Sequence, residues 1–82
     1  MTEPPAWDQG QVPIGNAHDV PNRYTRAREP IPVRARIAWA TGDEQLDTLA
    51  LAWTRHLVLV QLDDRRHQLR GIWLAASDVH RR

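Results

Sequence analysis

The stretch Val33-Arg34-Ala35-Arg36-Ile37-Ala38-Trp39-Ala40 decides the fold class. Val33, Ala35, Ile37 and Trp39 alternate with Arg34, Arg36, Ala38 and Ala40. A strand points successive side chains to opposite faces, so period two predicts a strand with one buried face. Thr41-Gly42-Asp43-Glu44 follows with turn chemistry. Further on, residues 46–53 predict a second strand, with Leu49, Leu51 and Trp53 on one face. After a tight turn at Thr54-Arg55-His56, the apolar run of residues 57–62 suits a strand covered on both sides. Asp63-Asp64-Arg65-Arg66 is a polar turn. Residues 68–74 form a fourth strand, in which Gly71 marks a bulge or a close backbone approach. Residues 75–78 suit a one-turn 3₁₀ connector and residues 79–81 a closing strand.

A helix competes for the middle of this stretch. Thr41 and Glu44 have capping-box spacing, and Leu46, Leu49, Ala50, Trp53 and Leu57 fit a helical face. The strand reading is preferred because it yields five elements separated by turn chemistry around one core. The expectation is an all-β domain over residues 33–82, a small five-stranded barrel. So small a domain buries a modest core, and tryptophans at 39, 53 and 73 compensate with large apolar area. Trp39 and Trp53 share parity with Ile37 and Leu51, which predicts burial. Trp73 is the aromatic placed most readily on a surface, because its strand offers either Leu69, Gly71 and Trp73 or Arg70, Ile72 and Leu74 to the core.

Toward the N-terminus the character changes. All six prolines lie in residues 1–32, where 10 residues are apolar, against 24 in residues 33–82. A proline every eight or nine residues removes backbone donors and forbids a regular helix. Residues 1–32 therefore read as a proline-rich, extended or disordered arm, with a boundary near residues 29–33. Trp7, Val12, Ile14, Val20 and Tyr24 are spaced apolar points along it.

With 82 residues, the chain makes one small domain at most. It has no cysteine, which excludes disulfide scaffolds, Cys-ligated zinc and thiol catalysis. A net charge of +1 argues against a protein that coats nucleic acid or a polybasic membrane binder. No apolar run approaches the roughly 20 residues that span a bilayer. The opening residues are polar and proline-rich rather than signal-like, so a soluble, cytoplasmic chain is expected, with no membrane partner. All 11 basic residues are arginine, a bias that a GC-rich genome produces unaided.

The run Gly71-Ile72-Trp73-Leu74-Ala75-Ala76-Ser77-Asp78-Val79 resembles the end of an SH3 fold, where a Gly-plus-apolar strand enters a 3₁₀ turn and a last strand. Ala35-x-x-x-Trp39-x-x-Gly42, with the later Val58-Leu59-Val60-Gln61-Leu62-Asp63, resembles the Tudor arrangement. The resemblance covers about 50 of the 82 residues and implies an SH3-like or Tudor-like barrel. Residues 33–82 hold no Tyr or Phe for a proline-peptide groove, and only tryptophans for an aromatic cage, so neither binding mode transfers. The chain is also similar to a family of short, uncharacterised actinobacterial proteins with a proline-rich start and an ending like Trp73…Asp78-Val79-His80-Arg81-Arg82. That likeness implies no activity.

Nothing reads as catalytic. His18, His56, His67 and His80 lack metal-ligand spacing, so no metal is expected. Asp43-Glu44 and Asp63-Asp64 are adjacent carboxylates in turns, where they point apart. There is no G-x-S-x-G, P-loop or dinucleotide fingerprint, hence no enzyme and no cofactor is expected. Charge is the better guide. Residues 23–36 hold five arginines against Glu29, and residues 65–82 hold five against Asp78. With first and last strands adjacent, Arg34, Arg36, Arg81 and Arg82 form one basic face, extended by Arg26 and Arg28 of the arm and by Trp73 for base stacking. The plain alternative is a solvated face balanced by nearby acids. The functional expectation is a non-catalytic binding module, accessory to nucleic-acid transactions, that contacts nucleic acid or a DNA-acting protein. The alternative is a protein–protein adaptor using the barrel groove and Trp7, Ile14 and Tyr24 of the arm.

Overall fold

A computed structural model describes residues 11–82, so Trp7 lies outside the described residues. Six strands follow one another: β1 (Ala17–His18), β2 (Thr25–Trp39), β3 (Gly42–Trp53), β4 (Leu57–Gln61), β5 (Gly71–Ala75) and β6 (Val79–Arg81), with a 3₁₀ turn (Ala76–Asp78) before β6. They make one antiparallel sheet in the order β1-β5-β4-β3-β2-β6. The described residues contain no α-helix, so the capping-box alternative for the middle segment does not form.

The long hairpin of β2 and β3 frames the sheet. Trp39 pairs with Gly42 across Ala40 and Thr41. No non-glycine residue among those described has positive φ, and the chain reverses with Gly42 at φ 142°, a conformation L side chains rarely adopt. Val33, Ala35, Ile37 and Trp39 are buried along one face of β2, as their alternation requires. They meet Ala50, Val60, Leu62, Ile72 and Leu74 in one core cluster. Ile37, Leu62, Leu74 and Val60 are fully buried, each contributing about 1.5–3 kcal/mol.

The sheet is curled. Ile14 bridges Trp39 on the side of β2 away from β3, and Ala17 pairs with Leu74 on the side of β5 away from β4. Laid flat, five interstrand steps would hold these positions about 24 Å apart. Three residues of chain span at most about 11 Å. The sheet must therefore bend until residues 14–17 link its two sides. Backbone bonds from Gly15 to the Ala38 carbonyl and from Ala40 to the Pro13 carbonyl fasten this link. Asn16 completes it with its side chain: Oδ1 accepts from the Ala38 amide at 2.9 Å and Nδ2 donates to the Arg36 carbonyl at 2.8 Å. The ladder does not run all the way round. β6 covers only Val33–Ala35 of β2, and β1 is two residues long. The closed five-stranded barrel expected from sequence is thus corrected to an open, curled six-stranded sheet.

The expected boundary at residues 32/33 falls inside β2, which begins at Thr25, and β1 is also N-terminal to it. Pro30 and Pro32, read as part of an extended or disordered arm, lie within β2. The Arg82 amide donates to the Pro32 carbonyl, so the Pro32 nitrogen also points away from β3, and its ring removes no bond from the β2–β3 ladder. Arg26 pairs with Ala52 and Ile31 with Ala50, leaving residues 27–30 bulged opposite Leu51.

Leu51 is also the extra residue of a bulge against β4, since Ala50 pairs with Val60 and Ala52 with Leu59. The bulge corrects the expectation that Leu49, Leu51 and Trp53 share a face. Trp53 pairs with Val58, which packs against the core, so it sits on the face of Ala50. Ala52 moves to the outer face, in register with Leu59 and Trp73. Trp73, expected at the surface, is instead buried on the face opposite Ile72 and Leu74. It is 5% exposed, with Tyr24 tilted over it at 5.2 Å between ring centroids. Gly71 is a close approach, since a Cβ there would lie 3.0 Å from Leu59 Cδ1.

Candidate functional site

Two sets of arginines stand out by what they touch, and Arg26, Arg28, Arg65 and Arg70 belong to neither. Arg34 Nε meets Asp47 at 2.8 Å, and Arg36 reaches Asp43 at 2.9 Å and Asp78 at 3.0 Å. These contacts raise both guanidinium pKa values, chiefly through the hydrogen bonds to Asp47 and to Asp78. For the Asp78 carboxyl, partial burial pushes upward, but hydrogen bonds from Arg36 and Asn16 outweigh it and hold the pKa below the ordinary value. Arg82 donates to the Val33 carbonyl at 2.9 Å and the Thr48 carbonyl at 2.7 Å. Arg66 is the most engaged. It pairs with Asp64 at 2.7 Å and Glu44 at 3.3 Å, and its guanidinium carbon lies 4.0 Å from the Trp39 ring centroid. Its side-chain and backbone hydrogen bonds hold the Asp64 carboxyl down to about 2.

The second set surrounds Trp53. Two adjoining cavities share Trp53 and Thr54 as walls. One, of about 300 Å³, is lined by apolar side chains from β2, β3, β4 and β6, including Ile31, Ala50, Val58 and Val79, with Arg81 among its walls. The other, of about 450 Å³, is lined by Arg23, Tyr24, Thr25 and Arg55. Among the described residues, no acidic residue lines either cavity. Among the same residues, Arg23, Arg55 and Arg81 form no ion pair.

The sequence builds this cleft locally. The Leu51 bulge turns Trp53 to the core face at the last position of β3, where it is 37% exposed. Thr54 fixes the turn that follows: its Oγ1 accepts from the His56 amide at 3.1 Å and the Leu57 amide at 2.9 Å. The Ala76 amide donates to the His56 carbonyl at 2.8 Å, tying the 3₁₀ turn to the same corner. Pairing of Thr25 with Trp53 brings the start of β2, and Arg23 and Tyr24 before it, to the cleft.

The expected site residues are therefore dispersed. Arg34, Arg36 and Arg82 are engaged within the chain, whereas Arg81 stands in the cleft. Arg26 and Arg28 are exposed, at and within the irregular part of β2. Trp73 is covered by Tyr24, and Ile14 packs on the core. Tyr24 reaches the cleft as a wall. Arg23, Trp53, Thr54 and Arg55 were not singled out from sequence. The spacing Trp53-Thr54-Arg55 at a strand end was a visible signal, but strict alternation had assigned Trp53 to the interior. Among the described residues, no group of three or more His, Asp or Glu side chains is placed to hold a metal, and no helix is long and apolar enough to cross a membrane. No protein-family model matches the chain, and neither a curated protein nor a solved structure matches it.

Proposed function

We propose that the protein is a non-catalytic binding module, accessory to nucleic-acid transactions, that holds a nucleic-acid backbone on the arginines around the Trp53 cleft. One observation carries this reading: Arg23, Arg55 and Arg81 gather around an exposed tryptophan where, among the described residues, no carboxylate neutralises them. Guanidinium forks match phosphate oxygens in charge and geometry, and an exposed indole offers a stacking face. The adaptor reading loses ground because Ile14 packs on the core and Tyr24 on Trp73. The architecture that accompanies the proposal is an SH3-like barrel left partly open. Its support is the 3₁₀ turn between the last two strands and the curl of the sheet.

Fluorescence anisotropy of labelled DNA, titrated with the protein at low and near-physiological salt, tests the reading. Binding is expected to weaken steeply with salt. Replacing Arg23, Arg55 and Arg81 with Ala should flatten the logarithmic salt slope by about 0.7 for each single-strand phosphate left without its arginine. Replacing Arg34 and Arg36 should leave the slope unchanged. Absence of binding at low salt, or equal weakening by both sets, overturns the proposal.

A further inference from the structure

We infer that the 300 Å³ cavity beside Trp53 receives a single unpaired nucleobase, so that the cleft selects single strands over duplex. This rests on the nucleic-acid reading above and names the form of nucleic acid. The phosphate contacts alone do not account for the cavity, because a backbone needs only the arginines. The cavity is chiefly apolar, lying between Ile31, Val58 and Val79, with Trp53 as its aromatic wall. Its volume is at the lower limit of small-molecule sites, enough for one heterocycle. A base within a duplex has both faces stacked, whereas an unpaired base can offer a face to an indole.

The polar groups at the cavity suit the edge of a base. Thr54 Oγ1 accepts two backbone amides, which leaves its own proton to donate. Arg81 supplies a fork of donors on the β6 side. On the other side of the indole, Arg23 and Arg55 line the adjoining cavity and take the flanking phosphates. The shared Trp53 wall thus separates an apolar compartment for the base from a cationic one for the backbone.

Three probes of equal length separate the possibilities: single-stranded oligothymidine, the same strand with abasic sites throughout, and a duplex. Their affinities are compared in low salt. The expected result is that oligothymidine binds at least about 5-fold more tightly than the abasic strand, the low end of what one stacked base contributes. It should also bind more tightly than the duplex. Trp53→Ala should abolish this preference, and Trp53→Phe should retain most of it. Ala76 is exposed on the wall of the same cavity. Ala76→Phe should therefore fill the space and remove the preference with every arginine intact, independently of any folding defect in Trp53→Ala. Equal binding of the oligothymidine and abasic strands would overturn this inference while leaving the phosphate-binding proposal standing. Failure of all three probes would remove both.

Discussion

Asp64 shows how one side chain sets a local structure and its pH range. Its Oδ1 accepts from the Arg66 amide at 2.8 Å and Nε at 2.9 Å, while Oδ2 receives Nη2. That grip aims Arg66 at Trp39 and Glu44, clamping the turn before β5 onto the β2–β3 hairpin. The Asp64 pKa falls from 3.8 to about 2 on folding. A lowered carboxyl pKa contributes stability that is complete above the unfolded value and is lost as pH falls through the folded one. Thermal melts should therefore show a falling Tm between about pH 4 and pH 2. Asp64→Asn, which keeps an acceptor but no charge, should melt lower at pH 7 and show a flatter acid limb. A slope identical to that of the parent protein would count against the assignment. The pairing of Asp64 with Arg66 was not legible in sequence, because Asp63-Asp64-Arg65-Arg66 allows several pairings and only the backbone chooses among them.

At the scale of elements, period-two reading worked where strands are regular and failed where they are not. The C-terminal half of β2, the turn at Gly42, the 3₁₀ turn and β6 were all legible, because alternation, glycine and short polar breaks report directly on backbone geometry. The bulge at Leu51 was not, since an inserted residue leaves no mark in a pattern of apolar residues, and Trp53 was grouped with Leu49 and Leu51 and its exposure missed as a result. The early half of β2 was missed for a different reason. Proline is incompatible with a central strand but acceptable where its nitrogen faces an open edge, and sequence does not say which edge is open. Pro32 faces the β6 side, where its carbonyl meets the Arg82 amide, and Pro30 lies in the bulged stretch that β6 does not reach. Pro30 removes a donor from an edge that would otherwise invite another chain. Replacing Pro30 and Pro32 with Thr should promote concentration-dependent self-association, seen as a mass increase in light scattering. A monomer-to-oligomer balance unchanged from the parent would show that the edge is protected by other means.

For the molecule as a whole, the candidate cleft depends on chain segments that sequence separates widely. Trp53 and Arg55 are neighbours, but Arg23 and Arg81 reach them only because β2 runs beside β3 and β6 beside β2. The expected basic face had the adjacency of first and last strands right, and Arg81 belongs to both versions. What it lacked was the pairing of Arg34 and Arg36 with Asp47, Asp43 and Asp78, which only the register reveals. The same long-range character governs the link across the curled sheet. Asn16 donates to Asp78, 62 positions away, and satisfies two backbone groups of β2. Asn16→Ala should cost about 1–3 kcal/mol by leaving partly buried groups unpaired. That destabilisation should appear mainly as faster unfolding, with the refolding rate nearly unchanged in stopped-flow chevrons. A variant that instead slows refolding would place the link in the folding nucleus.

That link also has a consequence in time. A ribosome releases residues 16–18 long before β5 and the 3₁₀ turn, yet Ala17 and His18 pair with Leu74 and Trp73, and Asn16 reaches Asp78. The β2–β3 hairpin pairs near neighbours and can form as soon as it emerges. Residues 14–16 can then join β2 at Trp39, Ala38 and Arg36, but β1 must wait until β5 has emerged. The ladder of β1 is therefore completed long after β1 itself is made.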